Sequence, residues 1–134
     1  MAPQSNTARP LSPHIQIYRW TLTMILSILH RATGVALYAG SALLALWLLT
    51  IATGPEAYEA VRGFASHWLG RLVLFGYSWA LFHHMCGGLR HFVWDTGRGF
   101  DLKVVEVMAR LSAVVPLILT LAAWVAAYHY LGVL

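Results

Sequence analysis

Charge is what this sequence has least of. Only 10% of its 134 residues are charged, nine Lys and Arg against five Asp and Glu. Soluble domains carry roughly 25%. A chain this small has much surface for its volume, and these charges are too few to cover it in water. No run of Lys or Arg and no basic stripe is present, and the formal net charge is only +4, which argues against nucleic acid as a partner. Cysteine occurs once, at Cys86, so no disulfide can form within the chain. Internal repeats and low-complexity tracts are also missing. The opening "MAPQSNTARPLSPH" lacks the apolar core and small-residue cleavage site of a secretory signal.

What is abundant is apolar residues, at 59%. Three runs approach the roughly 20 residues that a helix needs to cross a bilayer. They are Ala32 to Ala52, without any charge, then Leu69 or Leu72 to Leu89, then Leu111 to about Leu131. The expected fold is an all-α integral membrane protein with three transmembrane helices, one membrane-anchor domain over residues 1–134. The expected layout is a cytoplasmic segment 1–20, helix I about 21–52, helix II about 66–94 and helix III about 105–132. Gly54 and Pro55 break the first run, so "TGPEAYE" predicts a turn and a short helix; "DTGRGFD" is a second Gly-rich break.

Lys and Arg concentrate on the cytoplasmic side of membrane proteins. Arg9, Arg19 and Arg31 flank the first run, and Arg90, Arg98, Lys103 and Arg110 follow the second. The connection between them sets Arg62 against Glu56 and Glu59. The N-terminus is therefore expected in the cytoplasm and the C-terminus on the opposite side. Trp20, Trp68 and Trp94 fall at run ends, where aromatic residues anchor a chain in the interface.

The stretch "LFHHMCGGLRHFVWD", residues 81–95, concentrates unusual chemistry in this greasy chain. At about 100° per residue, His84, Gly87, Gly88 and His91 share one helix face. A flat group could lie against the backbone between the two imidazoles. Helix–helix contact would use the same glycines. His84 lies about 16 Å of helix rise before Asp95, within the hydrocarbon, where ionisable groups are rare and usually functional. A haem axial ligand is one such function. His83 points about 100° away and is the weaker candidate. By depth, His30 sits at the inner edge of helix I and His129 at the outer end of helix III. Neither matches His84, and His91 shares its helix. A second ligand is therefore expected from another polypeptide.

In "LSILHRATG", residues 26–34, Ser27 is spaced i, i+3 from His30 and i, i+4 from Arg31. Such a donor-rich face at an apolar boundary suits haem carboxylates or a quinone carbonyl. Arg31 could equally be a snorkelling flank charge.

"RPLSPHIQIYRW", "SILHRATG" and "HHMCGGLRHFVWDTG" together resemble the cytochrome b membrane-anchor subunits of succinate dehydrogenase, respiratory complex II. The resemblance covers the chain in order, with no departure at the motif positions. It implies a subunit of the bacterial cytoplasmic membrane that holds haem b together with a second anchor subunit. Iron–sulfur and flavoprotein subunits would dock on the cytoplasmic side. It implies His84 as a haem ligand, His30 and Arg31 near the haem propionates, and Ser27 and Arg31 in the ubiquinone site. Asp95 would lie near the quinone. Electrons from succinate would reach ubiquinone here, with no carbon chemistry on this chain. The competing expectation is a haem-free anchor or small transporter module, in which His84 is a helix–helix hydrogen bond.

Overall fold

A computed structural model describes residues 17–132. Most of the expected cytoplasmic segment, including Arg9, lies outside the described residues. Four helices follow in order: α1 Leu22–Thr53, α2 Pro55–Ser66, α3 Trp68–Asp95 and α4 Leu102–Tyr130. The described chain is all-α.

Local sequence sets each boundary. α1 runs uninterrupted for 32 residues and stops at Gly54, whose φ of 133° suits glycine. Pro55 then opens α2 at a position where its missing N–H costs nothing, with Glu56 in the first turn. His67 caps α3 through Nδ1, which accepts from the Leu69 N–H at 3.4 Å. After Asp95 the chain turns through Gly97 and Gly99, both at positive φ. The Asp101 carboxylate caps α4, accepting from Lys103 N–H at 2.9 Å and Val104 N–H at 3.4 Å. Within α4, Pro116 is buried and leaves one helical carbonyl without its N–H donor.

α3 lies between α1 and α4, and packs on both. Small residues set the close approaches. Gly40 of α1 lies against the Tyr77 ring of α3, where any Cβ would overlap it. The interior is the reverse of a soluble core. Among the described residues, Thr33, His83, Arg90, Ser112 and Thr120 are buried, against Leu26, Ala80, Ala109 and Pro116 as buried apolar side chains. Leucines such as Leu43, Leu46 and Leu48 are instead more than half exposed. In water such a surface would aggregate.

α1 and α4 are long and apolar enough to cross a membrane, and only 6% and 17% of their most apolar stretches are buried. Low burial removes the soluble reading, in which these runs would be core helices. α3, at 28 residues, is long enough at about 1.5 Å per residue. Arg71, His83, His84 and Arg90 make it less apolar, so two spans rather than three stand out by composition. α2 is amphipathic: Glu56, Glu59 and Arg62 are exposed, while Ala57, Tyr58 and Val61 are half-buried. Arg62 pairs with Glu59 at 2.9 Å.

Trp94 departs from the expected anchoring role. Its indole N–H donates to Gly99 O at 3.2 Å, its ring stacks near Phe100, and the Arg90 guanidinium lies 5.1 Å from its centroid. It closes the α3–α4 turn. Trp20 and Trp68 are exposed, at 61% and 67%.

Candidate functional site

Three turns of α1 and two turns of α3 meet at the site. His30 of α1 lies face to face with His84 of α3, ring centroids 4.0 Å apart and planes within 9°. His91, two turns nearer the end of α3, lies 5.3 Å from His30. The His30 ring therefore fills the space beside Gly87, where a Cβ would run into its Nδ1. Gly88 has open space around it, with nothing within 4 Å of an added Cβ.

Two expectations need correction here. The face of His84, Gly87, Gly88 and His91 is not a vacant slot, because a histidine of α1 occupies the Gly87 half. The depth mismatch between His30 and His84 is also wrong. α1 starts at Leu22, so His30 lies about 12 Å inside the helix, and it meets His84 side by side. His30 is still unsuited to be the second ligand on the same iron. Axial ligands point nitrogens at the metal from opposite sides, whereas these rings touch through their faces with no room for a porphyrin.

His84 is half-buried and its hydrogen bonds define its tautomer. Nδ1 lies 3.0 Å from the backbone carbonyl of His30. A carbonyl only accepts, so Nδ1 carries the proton and donates. Nε2 then holds a lone pair, and it has no hydrogen-bond partner among the described residues. Metal-bound histidines typically donate their other nitrogen to a carbonyl or carboxylate in this way. The donor set therefore fits a haem-ligating role for His84.

His83, the adjacent residue, has opposite surroundings. It is 2% exposed, and neither ring nitrogen has a partner among the described residues. Trp79 lies 5.2 Å away by ring centroids. Arg90 is similarly enclosed, 4% exposed, with Nε and Nη1 unpartnered. A group as large as haem cannot reach His83. Sequence reasoning counted Arg90 as a flanking charge and missed its burial. The helical spacing of His83, Gly87, Arg90 and Trp94 carried the signal.

Ser27 and Arg31 come together: Arg31 Nη2 donates to Ser27 Oγ at 3.4 Å. Arg31 is exposed and Ser27 half-buried. His30 turns away from this pair towards α3. Successive residues diverge by about 100°, so His30 and Arg31 cannot address one small group equally. Asp95 is the exposed last residue of α3, and neither ion pair among the described residues involves it. It is not brought into contact with Ser27 or Arg31.

A family model described as succinate dehydrogenase/fumarate reductase transmembrane subunit matches residues 5–123. The succinate dehydrogenase cytochrome b556 subunit of Paracoccus denitrificans is 43% identical over 103 residues, 77% of this chain and 79% of the relative. The Rickettsia felis protein of the same name is 38% identical over 117 residues, 87% of this chain and 91% of the relative. The mitochondrial succinate dehydrogenase cytochrome b560 subunit of Sus scrofa is 42% identical over 117 residues, 84% of this chain and 65% of the relative.

Proposed function

The chain belongs to the succinate dehydrogenase/fumarate reductase transmembrane-subunit family, and from that premise we propose that it is the cytochrome b anchor of a succinate:ubiquinone oxidoreductase in a bacterial cytoplasmic membrane. α1, α3 and α4 each cross the bilayer. The N-terminus and the α3–α4 turn face the cytoplasm. Packing supports that orientation: the His30–His84 contact sets the start of α1 beside the end of α3. Arg19, Arg31, Arg98, Lys103 and Arg110 thus gather at one end, in accord with the inside preference of Lys and Arg.

The single observation that carries the haem assignment is the state of His84. Its Nδ1 is committed to the His30 carbonyl, leaving Nε2 as the only ligating atom. We assign the second ligand to a second anchor subunit: among the described residues, no other histidine is placed to oppose His84 across one iron. A b-type haem bound there would supply one-electron redox chemistry.

The remaining chemistry belongs to this chain's polar residues at the inner membrane boundary. Ubiquinone has two carbonyl oxygens, and its reduction adds two electrons and two protons. Arg31 can offer a charged donor to an oxygen as negative charge builds on it. Ser27 accepts from Arg31, so its own hydroxyl proton remains available to a quinone oxygen. A haem held by His84 would have its propionates within range of Arg31 or His30, which point different ways: Arg31 is exposed and His30 stacks on His84. Asp95, at the exposed end of α3, sits at the same boundary and has the weakest geometric support of these residues. Iron–sulfur and flavoprotein subunits on the cytoplasmic side deliver the electrons.

Purification of the unmodified chain from native membranes tests this function. Flavoprotein and iron–sulfur subunits should accompany it, and a reduced-minus-oxidised spectrum should show sharp b-type bands. A colourless complex of the same subunits would leave His84 as a hydrogen bond between α1 and α3, as in a haem-free anchor.

A further inference from the structure

The His84 ring does not reach the α1 carbonyl by chance of packing; four backbone and side-chain features of α1 and α3 permit it. The His30 carbonyl faces α3 beside Gly34. A Cβ at Gly34 would stand 3.0 Å from His84 Cε1 and 3.5 Å from Nδ1. A Cβ there would crowd the imidazole, which would have to shift by a few tenths of an ångström. The converse holds on α3. Gly87 leaves room for the His30 ring, which any Cβ there would displace. Each helix thus contributes one glycine that accommodates the other helix's histidine, and the two rings stack at 4.0 Å.

Thr33 completes the arrangement. It is 4% exposed. Its Oγ1 lies 2.8 Å from Leu29 O and 3.0 Å from His30 O, so its proton is directed at those carbonyls. Its oxygen lies 3.4 Å from His84 Nδ1. With the hydroxyl proton already committed, Oγ1 faces Nδ1 as an acceptor. The Nδ1–H is therefore shared between the His30 carbonyl and the Thr33 oxygen. Two acceptors on one nitrogen hold the tautomer and also resist rotation of the ring about Cβ–Cγ.

We propose that Thr33, Gly34 and Gly87 are positioning residues for His84: together they fix the tautomer and the ring plane in which Nε2 is presented. This rests on the reading of His84 as a haem ligand. Basicity of a ligating imidazole rises when its other nitrogen donates a strong hydrogen bond. Loosening the Nδ1–H contacts should therefore alter the spectroscopy of the bound group rather than merely its amount.

The test uses the intact complex from native membranes carrying Thr33→Val, Thr33→Ser or Gly87→Ala. Low-spin electron paramagnetic resonance g-values and the position of the reduced α-band are read at equal haem content. Dye-linked succinate oxidation reports assembly. Thr33→Val keeps the shape of the side chain and removes the oxygen; it should shift or broaden the highest g-value, and Thr33→Ser should restore it. Gly87→Ala should shift it further, because His30 must leave the stack. Wild-type spectra in assembled Thr33→Val would overturn the inference, as would equal shifts in Thr33→Val and Thr33→Ser. If Gly87→Ala yields no complex, the threonine pair decides alone. Absence of b-type bands from the unmodified complex would instead overturn the haem reading itself, so the two failures are distinguishable.

Discussion

Two sides of α3 differ sharply although they are built from adjacent residues. On the side towards α1, His84 is half-buried, hydrogen-bonded through Nδ1, and presents an Nε2 that has no partner among the described residues. On the interior side, His83 and Arg90 are at least 96% buried, with nitrogens that find no partner among the described residues. One side leaves an imidazole nitrogen open, as the proposed haem site requires. The other is sealed. The difference teaches that a membrane-embedded histidine becomes a ligand candidate through accessibility and a fixed tautomer, not through its presence alone. Polar residues of the interior act on packing instead, as Arg90 does against Trp94.

Arg31→Leu, on the open side, should have the largest kinetic effect. A hydrogen bond to a charged group contributes roughly 1.5–3 kcal/mol, so quinone-linked turnover should fall about 10- to 150-fold. Dye-linked succinate oxidation should persist, because the flavin belongs to another subunit. The ratio of the two activities at matched enzyme content is the readout; equal loss of both would point to broken assembly. Ser27→Ala should reduce the same ratio about fivefold, as expected for a neutral donor at roughly 1 kcal/mol. An unchanged ratio in both variants would leave Arg31 as a flank charge and move the quinone site elsewhere.

The sealed side should respond differently. Arg90→Met preserves length and removes an unpaired buried charge. It forfeits the contact with Trp94, of order 0.5–2 kcal/mol, and relieves desolvation in exchange. The melting temperature of the complex should therefore change little, and the quinone-to-dye ratio should stay within about twofold, the scatter that an effect below roughly 0.4 kcal/mol would give. A loss on the scale of 3–5 kcal/mol would mean that Arg90 has an ionic partner in the assembled complex, and that this side is not sealed.

Much of this was legible in the sequence. Apolar runs and the Gly54–Pro55 break announced the helices, because backbone rules act locally. The i, i+4 spacing of Ser27 and Arg31 foretold their hydrogen bond. His84 stood out from His83 by helix face alone. What the chain could not disclose was the offset between helices. Depth counted from Asp95 on α3 and from Ala32 on α1 used two different origins, so His30 seemed to lie at the edge when it stacks on His84. The role of Gly87 followed the same error: a gap in one helix is filled by a residue of another, and one-dimensional spacing does not say which. Arg90 was misjudged because its helix end bends into a packed turn through Gly97 and Gly99, which keeps the guanidinium over Trp94 rather than in solvent.

The paired spectra of His84→Leu and His83→Leu decide which of the two histidines is the ligand. Both variants would be purified as complexes, with yield measured beside the optical and electron paramagnetic resonance signals. His84→Leu should lose the native low-spin signature, while His83→Leu keeps it at any yield. A native signature in His84→Leu together with its loss in His83→Leu would contradict the account and show that the enclosed histidine is the ligand.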